Sequence, residues 1–248
     1  MILGYLEKLN DAKTIDEVWD HHVSAMAHYG FDRLLYGFTR FRTSNSFGDR
    51  QDILLLSNHS AEFIQEFVDS EMYFHAPMVK WAAENVGACS WRWIERNREH
   101  LTPEEIKVLD FNRRMGVTAG YSVSFKDISS RAKGAIGLVA KPGLTQEDVD
   151  IIWARHGRMI VQMNNVAHLK MTHLPYSTQR RPLTDRQREV LEWVGEGKTS
   201  QDIATIMGVS MATVEKHLRL ARIALDVETS AQAVLKASIQ NQIFVLPR

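Results

Sequence analysis

Apolar positions along this chain follow two periods, and the switches between them outline its elements. Runs rich in β-branched and aromatic residues at 34–41, 52–56, 117–125 and 135–140 predict strands. Helical spacing fills the intervals. Thr14 stands three residues before Glu17, Thr145 three before Asp148, and Thr102-Pro103-Glu104-Glu105 adds a proline where its missing N–H does no harm. The predicted order is helix, two strands, three helices, two strands, then a long helix from Thr145 to about Lys170. Hairpin-like strand pairs with helices around them predict an α/β domain in which an antiparallel sheet is sandwiched between helical layers. Val149, Ile152, Met159, Ile160, Met163, Val166 and Leu169 give the long helix an apolar face, for packing on its own sheet or against a second copy.

The pattern breaks at 174–182, where two prolines and polar residues without apolar periodicity predict a linker between a domain at 1–173 and a second at 183–248. Four helix starts follow. Thr184 with Gln187, Thr199 with Asp202 and Thr229 with Gln232 have capping-box spacing, and Ser210 supplies the fourth cap. This second domain is therefore predicted to be all-α, with four helices. Inside it, "SQDIATIMGVSMATVEKHLRLAR" reads as two helices broken at Gly208, which can take positive φ without a Cβ clash. Ile203, Ala204 and Met207 share one face of the first helix. Val214, Leu218, Ala221 and Leu225 form the stripe of the second, which leaves Met211, Ala212, Glu215, Lys216, Arg219 and Arg222 facing away. Such a face suits either a solvated helical hairpin or a reader of the DNA major groove.

Composition narrows the class without deciding it. The 248 residues are 44% hydrophobic and 24% charged, as in an ordinary globular protein. One cysteine, Cys89, excludes an internal disulfide and favours a reducing cytoplasm. The first residues show no signal-peptide pattern, and no run approaches the roughly 18 apolar residues of a membrane span. Lys+Arg and Asp+Glu balance at 30 each. Residues 178–248 hold 10 and 8 of them, an excess of two positive charges too small to indicate nucleic acid by itself. Enzyme signals are missing. His21 and His22 are adjacent rather than at ligand spacing, Cys89 lacks an activating motif and reads as a buried structural thiol, and no phosphate loop or nucleophile elbow occurs. No catalytic residue, metal ligand or cofactor is assigned.

The ordered set Leu183-Thr184-Asp185-Arg186-Gln187-Arg188-Glu189-Val190-Leu191-Glu192-Trp193, Gly197-Lys198-Thr199, Ile203-Ala204, Gly208-Val209-Ser210, Thr213-Val214 and His217 resembles the LuxR-type, or GerE-like, DNA-binding domain. The resemblance implies a helix-turn-helix whose third helix, Met211–Leu225, enters the major groove of double-stranded DNA. It implies a last helix, after Thr229, that serves a homodimer. The DNA-facing candidates are Thr199, Ser210, Met211, Thr213, Glu215, Lys216, His217, Arg219 and Arg222. Gln187 stands where the family usually has glutamate. Ala212, Glu215 and Ala224 replace positions often basic, and Leu220 replaces a frequent asparagine, so Lys216, Arg219 and Arg222 carry more of the expected contact.

Gly30-Phe31-Asp32, the spacing of Pro77 and Trp91, and Gly116 and Gly120 heading a strand resemble the autoinducer-binding domain of LuxR-type quorum-sensing regulators. That resemblance implies an α-β-α sandwich holding an acyl-homoserine lactone between the sheet and one helical layer. The family's lactone-contacting tryptophan falls on Phe63, its tyrosine on Phe67, and its amide-binding aspartate on Ala76, while Pro77, Trp91 and Gly120 are retained. Tyr73 and His75 are the nearby candidates to replace lost polar contacts. An apolar site lined by Phe63, Phe67, Trp91 and Trp93 suits a less polar autoinducer-like molecule, or is filled by its own side chains. The chain is thus expected to be a cytoplasmic, dimeric transcription regulator, with RNA polymerase a further candidate partner and no membrane association. Two alternatives stay open: a regulator that does not respond to lactones, and a heterodimerising antagonist of another such regulator.

Overall fold

The computed structural model describes residues 2–42, 49–127, 129–176 and 182–244. The chain forms two compact units, Met1–Gly48 with Leu55–Thr172, and Asp49–Leu54 with His173–Arg248. Among the described residues no helix is long and apolar enough to cross a membrane.

The first unit opens with two helices, α1 (Ile2–Asp11) and α2 (Ile15–His28), where capping signals predicted one. α1 has no acidic first turn to announce it, and its place rests on the burial of Tyr5 and Leu9. Thr14 and Glu17 close a reciprocal capping box at the head of α2. Five strands follow in the order β2-β1-β5-β4-β3. They are β1 (Phe31–Thr39), β2 (Leu54–Ser57), β3 (Gly87–Ser90), β4 (Gly120–Ser124) and β5 (Lys133–Ala140), and the pairings β1–β5, β5–β4 and β4–β3 are antiparallel. β3 was not predicted, because Gly-Ala-Cys-Ser has little strand propensity and is held by its ladder to β4. The strand expected at 52–56 begins only at Leu54, since Arg50–Asp52 form a 3-10 turn capped by Asp49.

Helical layers cover both faces of this sheet. On one face Leu34, Tyr36, Phe38, Ile136 and Leu138 are fully buried. Above them runs α7 (Gln146–His173), whose Trp153 stacks on Tyr121 at 3.8 Å and whose His168 Nδ1 meets Tyr36 Oη at 2.9 Å. The buried stripe of α7 is Val149, Ile160, Met163, Ala167 and Met171. Met159 and Leu169, expected to share its apolar face, are 39% and 55% exposed, so that face is narrower than the spacing predicted. Asp150 clasps α7 to two strands: it accepts from Ser90 Oγ, Arg92 Nε, Tyr121 Oη and Gln146 Nε2 at 2.7–3.0 Å. Burial opposes its charge, yet these donors hold its carboxyl down at about 2.

The other face is covered by α3 (Ala61–Ile64), which continues into a π turn at Gln65–Asp69, and by α4 (Pro77–Glu84) and α6 (Pro103–Arg114). Between β3 and α6 lies the short α5 (Arg92–Arg96). Thr102, Pro103 and Glu105 start α6 as the spacing predicted.

The second unit contains α8 (Asp185–Gly195), α9 (Ser200–Met207), α10 (Met211–Leu225) and α11 (Ser230–Ile239). Thr184, Thr199 and Thr229 each close a capping box, and Ser210 accepts from Thr213 N. One core joins Val190, Leu191, Ile203, Val214, Leu218, Ala221, Leu225, Ala233 and Ala237. The segment Asp49–Leu54 also belongs here, since Asp52 Oδ2 accepts from Lys236 Nζ at 2.7 Å with both side chains buried. Lys236 is therefore committed inside the unit rather than offered to a partner.

Candidate functional site

Two sites take shape, one outside and one inside. The outer one is the α9–α10 hairpin. α9 ends on Gly208 at φ +64°, where a Cβ would meet no neighbouring atom, so the requirement for glycine is conformational rather than steric. Val209 follows and Ser210 caps α10 at once. The stripe Val214, Leu218, Ala221 and Leu225 is buried to the last residue. Facing away from it, Met211, Ala212, Glu215, Lys216 and Arg219 are exposed.

Not every expected reader is free. Glu215 accepts from Ser200 Oγ and so braces α10 against α9. Arg222 is half-buried and donates to Ser230 Oγ at 3.1 Å, which ties α10 to the head of α11. The hydroxyls of Thr199, Ser210 and Thr213 are spent within the two caps. His217 is half-buried, and its Nδ1 is shielded without a hydrogen-bond partner among the described residues. Lys216 and Arg219 make no hydrogen bond or ion pair among the described residues, which leaves them as the cations presented by this face.

The inner site lies beneath α3, the π turn and α6. Phe63, Phe67 and Ala76 fall in one buried cluster with Val108, Phe111, Val117 and Val139, and Tyr73, Trp91 and Leu35 pack against it. The rings touch one another. Phe63 stacks on Phe67 at 5.0 Å, and Phe111 lies 5.5 Å from Phe63 and 6.5 Å from Phe67. His59, which sequence reasoning did not single out, stacks on Phe63 at 4.2 Å. Burial, with Arg33 nearby, pushes the His59 imidazole down to about 4, so it is a neutral ring at pH 7. Trp91 donates its Nε1–H to Ser122 Oγ at 3.0 Å.

Two expected pocket residues are placed differently. His75 is exposed in the turn Met72–His75 and stands apart from the cluster. Gly120 is a packing requirement, because a Cβ there would lie 2.2 Å from Leu138 O and 3.1 Å from the Trp91 ring. Its N–H donates to Gln146 Oε1. Trp93 is half-buried on α5. Phe111 had no local signal in the sequence, since its neighbours come from α3 and the π turn. Leu35 was legible from strand alternation alone. Cys89, expected to be buried, is partly exposed on β3, and desolvation raises its thiol above the ordinary value.

The arrangement matches a known pair of domains. Residues 14–171 match the autoinducer binding domain, and residues 181–237 match the bacterial regulatory proteins of the luxR family. The chain belongs to the LuxR-type regulators. It is similar to the transcriptional activator protein AnoR of Acinetobacter nosocomialis, 24% identical over 91% of each chain. The transcriptional activator protein LuxR of Aliivibrio fischeri is likewise 24% identical, over 78% of this chain and 76% of that one. A crystal structure of Escherichia coli SdiA has the same fold, with a TM-score of 0.50 and 18% identity over 97% of this chain and 96% of that one.

Proposed function

We propose that this LuxR-type chain binds a pseudo-palindromic DNA site as a homodimer in the cytoplasm, with α10 of each copy in the major groove. The observation that carries the reading is the outward face of α10, where Lys216 and Arg219 stand free above a sealed apolar stripe. A two-fold dimer would present two such helices to half-sites about one helical turn apart. Leu235, 62% exposed on α11, belongs to the helix that the family uses for dimer contacts. RNA polymerase is a further partner under this reading. The test is fluorescence anisotropy on a site selected from random DNA. Lys216→Ala with Arg219→Ala should weaken binding by roughly 1–3 kcal/mol per lost contact and make the salt dependence shallower by about two units of slope. Full affinity in the double variant would remove α10 from the interface.

A second reading concerns the signal. The contact among Phe63, Phe67 and Phe111, with Ala76 where an amide acceptor would stand, favours a regulator that works without an acyl-homoserine lactone. A buried polar ligand group left without its partner weakens binding by roughly 1–3 kcal/mol. Thermal melts against a panel of acyl-homoserine lactones should show no shift, because only a ligand that binds the native state raises its stability. A rise of several degrees with a long-chain lactone would end this reading.

A further inference from the structure

The outward row of α10 changes character along its length. Steps of four, three and four residues from Ala212 reach Lys216, Arg219 and Ile223, on the side opposite the buried stripe of Val214, Leu218, Ala221 and Leu225. Cations hold the middle of that row. Its first turn holds Met211 and Ala212, both exposed, Met211 by 52%. Single exposed apolar residues are ordinary, so it is the place of this pair that matters. A helix-turn-helix meets base edges with the N-terminal residues of its second helix.

The other side chains at that end are occupied. Ser210 Oγ lies 2.9 Å from Thr213 Oγ1 and accepts from Thr213 N at 3.1 Å. Glu215 accepts from Ser200 Oγ, and Thr199 Oγ1 donates to Asp202 Oδ2 at 2.7 Å. Asparagine, glutamine and arginine, which grip adenine or guanine through paired hydrogen bonds, are absent from Ser210 to Lys216. A polar base edge pressed against Met211 and Ala212 would lose water without gaining a partner. The 5-methyl group of thymine is the apolar feature of the major groove, and it meets no such penalty.

We propose that Met211 and Ala212 are specificity-determining residues that read thymine 5-methyl groups, so that each half-site carries an A·T pair under the head of α10. The proposal rests on α10 entering the major groove and adds which base chemistry its first turn selects. Lys216 and Arg219 supply charge one and two turns further along the same helix. Salt-dependent affinity and this element of sequence choice therefore come from different side chains, and each can be removed without the other.

The test uses the full-length protein and a duplex selected from random DNA, with each thymine of the half-site replaced in turn by deoxyuridine. Uracil keeps every hydrogen-bonding group of thymine and lacks only the methyl. Replacement at one position of a half-site should weaken binding about fourfold, and at the matching position of both half-sites about fifteenfold, from the burial of one methyl group each. Met211→Ser with Ala212→Ser should bind the thymine and uracil duplexes alike, at an unchanged salt dependence because no charge is lost. Lys216→Ala with Arg219→Ala should do the reverse, with a shallower salt dependence and an intact preference for thymine. All four side chains are exposed, so thermal melts should show each variant folded. Specific binding with no uracil-sensitive thymine, or a thymine preference that survives in the serine variant, overturns the proposal and leaves α10 in the groove. Absence of any sequence-specific binding by the unaltered protein removes the major-groove reading and the proposal with it.

Discussion

The helical unit and the sheet unit expose their chemistry in opposite directions. In the helical unit the apolar stripe of α10 is closed inside, and the working side chains Lys216 and Arg219 point outward from the same fifteen-residue helix. Every element of that site lies within one short stretch of chain. In the sheet unit the site is interior, and its walls come from β1, β5, α6, the π turn and Trp91, which are separated by as much as a hundred residues. The lesson is about range. A site built on one helix is set by local periodicity and caps, whereas a site under a sheet exists only once distant strands have paired.

Four measurements would break or sharpen this contrast. The largest effect belongs to the helical core: Leu218→Ala, at a fully buried stripe position, should cost about 2–5 kcal/mol and lower the melting transition of the helical unit alone. A single transition lowered for both units together would show that they do not melt separately.

Acid comes next and strikes the other unit. His22 is buried, with Nδ1 2.8 Å from Tyr5 Oη and Nε2 3.0 Å from Asn164 Oδ1. His168 is buried between Tyr36 and Phe125. Desolvation holds both imidazoles down at about 4, against an unfolded value near 6.5. Between those values the unfolded chain binds more protons than the native one. The stability these neutral rings allow is therefore complete above about pH 6.5 and is lost as pH falls towards 4, by roughly 2 kcal/mol each at pH 5. Thermal melts from pH 7.5 to 5 should show the sheet unit weakening, and a His168→Phe variant should show a shallower slope. An unchanged slope would mean that His168 is not the titrating group.

A smaller effect tests the turn. Gly208→Ala places a Cβ at φ +64° in open space, so its penalty is conformational, about 1–2 kcal/mol, read by denaturant melts. No loss at all would show that the hairpin can re-form around another backbone geometry. Smallest of all, Ile223→Ser on the exposed side of α10 should change stability by less than about 0.5 kcal/mol in the same melts. A larger loss would reveal that this face is covered in solution, for instance by a second copy.

Much of the helical unit was legible in advance. Capping pairs at Thr184, Thr199 and Thr229, the Gly208–Ser210 break and the buried stripe are all local patterns of three or four residues, and each appears where it was expected. The commitments of individual side chains were not legible. Arg222 looked as available as Arg219 until Ser230 came within 3.1 Å, and Glu215 looked like a free acidic group until Ser200 met it. In the sheet unit the alternation of β1 and β5 could be read, but β3 could not, because Gly-Ala-Cys-Ser becomes a strand only beside β4.

By itself, then, the sequence determined the helix starts and stops, the two periodicities and the cationic face of α10, because hydrogen-bond caps and side-chain spacing act over a turn or two of chain. Tertiary structure alone decided that Phe63, Phe67, Phe111 and His59 would stack together, and that Gly120 is needed for a close approach to Leu138 O and the Trp91 ring. Those outcomes depend on which distant surfaces meet, and contact between them follows from chain topology rather than from any neighbouring residue.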